Sequence, residues 1–550
     1  MKRILKLILP MTGKAGLLKY IGLGILSGLC SFLFINTVTS VLGQIIAGNF
    51  TNTHEYLLIF VAIILLFIWI RRVLSVAIIR LSQTLFWDLR KQIVSLVLRS
   101  GYQQLSARKT EVHSAIVSDV NMLTQASQSI IDFFTATVLM VVCFAYLATL
   151  SLLLFGITLV VALTGIGIYR LRASMNVKNF QRSRALETSF QSSFNAILDG
   201  FKELFMDPRK GKDIFDHQVR PVSTQAFDNN TKAYIGFLNN QITGYTLFYT
   251  LIAAILIYLN TALKIEVKYT VTFVFTLLYL LGAINTIMVL LPVLVRARVS
   301  AGRLLELKDK LEREDSPVGA IIPGPPVIFK NALEQITISQ LVYEYGATSQ
   351  AFGIGPIDLE IRKGDVIFIY GGNGSGKTTF IHTLLGLRIP TGGEIRVNDI
   401  PVSQDLYPQY KAFYAVVFSD FYLFSELLGI DKPDLEKWRY YLQLFELEDK
   451  VSIDDKGVFS TTALSTGQRK RLALIAALLE EKPLLVIDEW AADQDPHFRK
   501  KFYTEIIPLI RQTGITIIAI THDDRYYHCA DKLFRMEYGK LIPERVQVFQ

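Results

Sequence analysis

The first half of the chain is dominated by long apolar runs at roughly 20–42, 56–79, 130–149, 152–169, 242–259 and 271–295. Each is long enough to cross the hydrocarbon core of a bilayer as a helix. The segments 81–98 and 171–205 keep a helical apolar spacing but carry one charged face, so spans two to five are predicted to continue as helices into water. Turns are expected near 105–110 and at Asp207-Pro208. After Leu307 the pattern changes. Glu312-Arg313-Glu314-Asp315-Ser316-Pro317 and then Pro323-Gly324-Pro325-Pro326 form a polar, proline-rich linker. From about Asn331 short apolar strands alternate with helical stretches, the pattern of an α/β domain. The expected division is a membrane domain with helical extensions at 1–312, a linker at 313–330 and a soluble domain at 331–550.

Composition agrees with a membrane half. The 550 residues are 51% hydrophobic with a mean hydropathy of +0.35, too apolar for one soluble protein of this size. The formal charge of +9 raises the question of nucleic acid, but the cations crowd the ends of the spans. Lys2, Arg3, Lys6, Lys14 and Lys19 precede the first, Arg90, Lys91, Arg99, Arg108 and Lys109 follow the second, and Arg170, Arg172, Lys178, Arg182 and Arg184 follow the fourth. The loop 45–55 has none. By the positive-inside rule both termini are cytoplasmic, with Lys264 and Lys268 as weak exceptions in the last external loop. No nucleic-acid-binding motif is present, and nucleic acid is excluded as a partner. The opening Met1-Lys2-Arg3-Ile4-Leu5-Lys6 imitates a leader, but its apolar run is short and no small-residue cleavage pattern follows. It reads as a basic lead-in lying at the membrane surface. Cys30, Cys143 and Cys529 are far apart and lack metal spacing, which excludes a disulfide framework and a zinc site.

The soluble half carries the chemistry. Ile367-Phe368-Ile369-Tyr370 runs into Gly371-Gly372-Asn373-Gly374-Ser375-Gly376-Lys377-Thr378, followed by Thr379 and an apolar helical run. A glycine-rich loop between a strand and a helix lets backbone N–H groups close around phosphate oxygens. Lys377 supplies a cation for the β- and γ-phosphates, and the Thr378 hydroxyl can hold Mg²⁺. Farther on, Leu484-Leu485-Val486-Ile487 ends in Asp488-Glu489. An acid at the strand end can hold the Mg²⁺ hydration shell, and the next can orient an attacking water. Leu464-Ser465-Thr466-Gly467-Gln468 opens a helix whose first N–H groups make a second anion site. An ATPase with one P-loop needs that second site only if it closes over ATP held by a second copy of the chain.

This order of motifs resembles the ABC ATPases, and with six spans ahead of it the chain is similar to an ABC half-exporter. The resemblance implies a polytopic α-helical membrane domain fused to an α/β P-loop ABC nucleotide-binding domain. It also implies ATP and Mg²⁺ as ligands, ATP hydrolysis coupled to transport, and assembly as a homodimer. On that resemblance Tyr345 stacks on adenine, Asp495 belongs to the loop linking the two ATP sites, and His522 contacts the γ-phosphate. The family's usual Gln is replaced within Val417-Phe418-Ser419-Asp420-Phe421. Ser419 stands at its position and is short for the usual role, so Asp420 is expected to share the metal. Thr466 replaces the more common Gly. The Phe-Ser-Asp variant and Asp199-Gly200-Phe201-Lys202-Glu203-Leu204 are similar to the cyclic-peptide and siderophore-peptide exporter branch, which implies peptide cargo moved across a bacterial inner membrane. A lipid flippase or multidrug pump would share the machinery. An ATP-gated channel or regulator would normally abandon the hydrolytic acid, and Glu489 is present.

Within the spans, Arg71, Arg72 and Asp132 are ionisable residues at membrane depth, expected either to pair or to line a cavity open to cargo. Asn239, Asn240, Gln241, Asn285 and Thr286 add hydrogen-bonding groups, and Pro292 is expected to bend span six.

Overall fold

The computed structural model describes residues 2–46, 53–259, 267–313, 333–345 and 352–546. Most of the linker, Lys264 and the middle of the loop between the first two spans lie outside the described residues. The chain forms two compact units, one of residues 1–97 with 108–313, the other of 98–107 with 314–550.

The first unit is helical. Its long elements are α1 (Lys2–Ile46), α2 (Thr53–Arg99), α3 (Tyr102–Ser114), α4 (Val120–Leu150) and α5 (Leu152–Asp199). They are followed by α6 (Phe201–Met206), α7 (Pro208–Ile214), α8 (Arg220–Ala254) and α9 (Val267–Arg313). Six of these contain windows long and apolar enough to cross a membrane. The spans do run on, since α2 and α5 continue unbroken to Arg99 and Asp199. Two expectations are corrected. The basic lead-in is not a separate surface helix, because α1 runs from Lys2 straight through the first span. A continuous helix satisfies its own backbone donors and acceptors, which a break at the interface would expose. The first turn falls at Ser100-Gly101, and 105–110 is helical within α3. Glycine stops a helix more effectively than the polar run Ser106 to Thr110. The second turn has two breaks, at Gly200 and at Asp207, where the Asp207 carboxylate accepts from the Arg209 N–H and Pro208 opens α7.

Small residues bring α1 against α4. A Cβ at Gly28 would sit 3.2 Å from Val138, and one at Gly24 3.3 Å from the Thr135 hydroxyl, so this Gly-x-x-x-Gly pair permits close helix approach. Apolar packing joins α4, α5, α8 and α9 around Cys143, Leu147, Leu154, Phe248, Phe273 and Leu277. Polar residues couple the helices. Gln241 donates to Asn285 at 2.6 Å, joining α8 to α9. Ser300 donates to the buried Asp119 carboxylate at 2.8 Å. Arg71 meets Asp132 at 3.6 Å, both about half exposed, whereas Arg72 does not join that pair.

The second unit is built on two sheets. A four-stranded antiparallel sheet has the order β2 (Gly353–Arg362), β1 (Gln335–Glu344), β4 (Gly392–Val397), β5 (Ile400–Pro401). A six-stranded sheet has the order β10 (Lys540–Glu544), β9 (Lys532–Glu537), β3 (Val366–Tyr370), β8 (Thr516–Ile520), β7 (Leu484–Asp488), β6 (Tyr414–Val417). Five of its strands are parallel and β10 is antiparallel to β9. Parallel strands covered on both faces read as continuous apolar runs. Accordingly Val366 and Phe368 enter one core while Ile367 and Ile369 enter the other. The helices that matter here are α10 (Lys377–Leu384), α11 (Tyr407–Lys411), α12 (Leu435–Leu444), α13 (Thr466–Leu479) and α14 (Pro496–Lys501).

Candidate nucleotide-binding site

In a parallel sheet, functional side chains gather beyond the carboxyl ends of the strands. Here β3, β7 and β8 lie side by side, with Asp488 opposite Ile520 and Ile369 opposite Ile520 in the two registers. The loop after β3, the acids after β7 and the histidine after β8 therefore share one edge, although they are far apart in sequence.

The loop after β3 wraps its own lysine. Lys377 Nζ donates to the carbonyls of Gly371 at 2.9 Å and Gly372 at 3.2 Å. Gly371 needs its missing side chain, since a Cβ there would lie 2.2 Å from the Met536 carbonyl oxygen. The Ser375 hydroxyl is buried with no hydrogen-bond partner among the described residues, as expected of a donor reserved for a phosphate oxygen. Gly376 precedes α10, so the free N–H groups of Lys377, Thr378 and Thr379 open toward the loop. The loop also contains Asn373 and Gly374, both exposed, as is Thr378.

Asp488 ends β7 nearly buried. Burial raises its pKa above the ordinary carboxylate value, and the Ser419 hydroxyl, donating to Oδ2 at 3.0 Å, opposes that rise. Ser419 is thus long enough to reach this acid. The neighbouring Asp420 is exposed, and its charge opposes the lowering of the His382 pKa that burial causes. Glu489 follows in the left-handed region at φ 49°, its N–H donating to the Ile520 carbonyl at 3.1 Å. That bond explains why a non-glycine residue tolerates the conformation, and it aims the side chain at His522, whose Nε2 lies 3.1 Å from Glu489 Oε1. The sequence alone does not reveal Lys470, which is buried on α13 and bonds the Glu489 carbonyl at 3.1 Å and the Asp493 carboxylate at 2.7 Å. It fixes the backbone of the acid from behind.

Ser465 caps α13 in a reciprocal box. Its hydroxyl accepts from the Gln468 N–H, and the Gln468 side chain accepts from the Ser465 N–H. The hydroxyl keeps its own proton for an anion. Gly467 passes close to the loop before α14, where a Cβ would stand 2.9 Å from the Asp493 carbonyl oxygen. Asp495 caps α14 through the Phe498 N–H and pairs with Arg471 at 2.8 Å. These bonds to the Phe498 N–H and to Arg471 hold its carboxyl below the usual range.

Tyr345 stands at the end of the small sheet, 38% exposed, its hydroxyl 3.1 Å from that of Thr379. One feature near it carries no sequence motif. The Arg388 guanidinium lies over the Tyr345 ring at 4.5 Å and donates to the Tyr343 hydroxyl at 3.1 Å. Gln103, in the segment that closes the first hairpin, donates to the same hydroxyl at 2.8 Å. Tyr102 beside it meets the His382 ring edge-on at 5.5 Å, and His382 in turn meets Phe418. Both sides of the nucleotide loop are therefore wired to the ten-residue segment 98–107.

Comparison with known proteins agrees with this constellation. Residues 354–492 match the family model described as ABC transporter. The chain is 28% identical to the ATP-binding protein SyrD of Pseudomonas syringae pv. syringae over 95% of its own length and 93% of that protein. It is 30% identical to the thiamine import ATP-binding protein ThiQ of Brucella suis biovar 1, over 39% of this chain and 89% of the relative. Its fold matches a solved bacterial Atm1-family ABC exporter with ATP bound, with a TM-score of 0.75 at 15% identity, covering 96% of this chain and 93% of that one. With six membrane spans and one ATPase domain on a single polypeptide, the chain belongs to the ABC transporter family, an ATP-hydrolysing membrane transporter built as a half-exporter.

Proposed function

We propose that two copies of this chain form an exporter that moves a peptide, or a peptide-derived siderophore precursor, out across a bacterial inner membrane, with both termini cytoplasmic. Each ATP is clamped between the P-loop of one copy and the Ser465–Gln468 cap of the other. The carrying observation is the pairing of Glu489 with His522 beside Asp488 on the edge that holds the P-loop. That arrangement belongs to a hydrolase, whereas a regulator that uses ATP only as a switch has no need of it.

In this reading Tyr345 supports adenine, and Lys377, Ser375 and the N–H groups from Gly371 to Thr379 hold the phosphates. Glu489 accepts a proton from the attacking water, and His522 orients that carboxylate and meets the γ-phosphate. Mg²⁺ suits an all-oxygen donor set made by the exposed Thr378 hydroxyl and the Asp488 carboxylate, which Ser419 steadies. When bound it neutralises charge between the β- and γ-phosphates. Asp420 remains a candidate metal contact only through water. Gln468 offers its side-chain N–H₂ to the partner's nucleotide, and Asp495 fixes the loop between the two sites.

The cargo reading rests on the Phe418-Ser419-Asp420 variant and the Asp199–Leu204 stretch. Everted vesicles should accumulate a cyclic peptide or peptide siderophore precursor only with ATP, and the same peptide should stimulate hydrolysis. Stimulation by lipids or unrelated drugs, with no response to peptides, would favour the flippase or multidrug reading.

A further inference from the structure

Arg71 and Arg72 are neighbours on α2 but face different surroundings. Arg71 has Asp132 at 3.6 Å. Arg72 opens into a groove of about 570 Å³ between α1 and α2, where it is joined by Lys19 and Arg80 and walled by Trp69, Val73 and Val76. The α2 contributors recur at helical spacing on one face, with Trp69, Arg72, Val73, Val76 and Arg80 following one another at three- or four-residue steps or their neighbours. Among the described residues no carboxylate pairs with Lys19, Arg72 or Arg80. Arg72 lies eight residues from Arg80, ~12 Å along the helix, and so within the apolar run of the second span. A cation at that depth is unfavourable unless an anion or water meets it, and three together repel one another.

We propose that this groove binds the phosphate headgroup of an anionic lipid in the leaflet from which α2 emerges on its way to Arg99. Lys19 and Arg80 stand at the membrane surface and Arg72 ~12 Å deeper along the helix, so a phosphodiester descending between them is attracted by all three. Val73 and Val76 lie between Arg72 and Arg80 on the same face and Trp69 lies deeper than Arg72, so an acyl chain lies against an apolar wall that runs alongside the cations and past them. A soluble anion would have no use for the wall. The lipid holds α1 and α2 together where they otherwise carry like charges.

Native mass spectrometry of the delipidated full-length protein tests this, with phosphatidylglycerol and phosphatidylcholine of matched chains as probes. Phosphatidylglycerol should be retained preferentially. Each cation removed should weaken retention about fivefold, the equivalent of ~1 kcal/mol per basic residue, and Arg72→Gln combined with Arg80→Gln about 25-fold. Arg71→Gln, at the same depth but outside the groove, should retain it as wild type does. Equal retention of the two lipids, wild-type retention by the double variant, or an equal loss in Arg71→Gln would overturn the proposal. Displacement by excess inorganic phosphate would overturn it too, because the site would then read phosphate alone. If the double variant does not fold, Lys19→Gln and a melting-temperature rise specific to phosphatidylglycerol decide. That rise should appear in wild type and shrink in Lys19→Gln, and its absence from wild type would contradict the site.

Discussion

Removing the Arg388 side chain tests whether the segment 98–107 is wired to Tyr345, the proposed support for adenine. Arg388 covers one face of Tyr345 at 4.5 Å and holds the Tyr343 hydroxyl, which Gln103 also holds. Its guanidinium is half-buried, and such a cation–π contact contributes ~0.5–2 kcal/mol depending on desolvation. Taking ~1 kcal/mol for a half-buried pair, Arg388→Leu should weaken ATP binding about fivefold. Because the contact is the same in ground and transition states, KM should rise and kcat should stay near wild type. Gln103→Leu removes one neutral hydrogen bond worth ~0.5–1.5 kcal/mol locally and should produce a smaller rise in the same direction. Equilibrium binding of a fluorescent ATP analogue, with steady-state ATPase beside it, measures both quantities. A double-mutant cycle supplies the decisive control. In a Tyr345→Leu background Arg388→Leu should add less than about 0.5 kcal/mol. Binding within about twofold of wild type in Arg388→Leu, or full additivity in the cycle, would refute the wiring.

The remaining predictions concern the acids. Ser419→Ala removes the donor that opposes burial at Asp488, so its carboxyl should titrate still higher and the acid limb of the ATPase pH profile should move up; an unmoved limb would mean that the bond is incidental. Glu489→Gln should keep ATP binding and cut turnover roughly 10²-fold or more, as expected for loss of a general base, and single-turnover hydrolysis near the wild-type rate would remove Glu489 from that role.

The spans, the P-loop and the strand ending in Asp488 were legible in the sequence because each is a local pattern: apolar length, glycine spacing, or a short unbroken apolar run. Parallel pairing also follows from strands alternating with helices. The sequence pattern points to a turn at 105–110 rather than at Gly101 because a polar run and a glycine compete as stop signals, and in the fold the glycine prevails. Arg388, Gln103 and Lys470 were not legible at all. Their partners lie far along the chain, as Gln103 to Tyr343 illustrates, and no spacing rule links a hairpin to the strand it meets in space. The separation of Arg71 from Arg72 likewise depends on which helix faces each residue, a question of rotation that an apolar run leaves open.

The central claim is that each ATP site is shared by two copies of the chain, and complementation between inactive proteins tests it most directly. Lys377→Ala disables one half of the site and Ser465→Arg the other. Each purified alone should be nearly inactive. Co-expressed with different affinity tags and isolated as the mixed dimer, they should form one site with both halves intact and one with both lesions. The account predicts that this mixed dimer recovers a measurable fraction of wild-type ATPase. No recovery in a mixed dimer shown to be intact, or full activity from a single-chain monomer of the wild type, would contradict it.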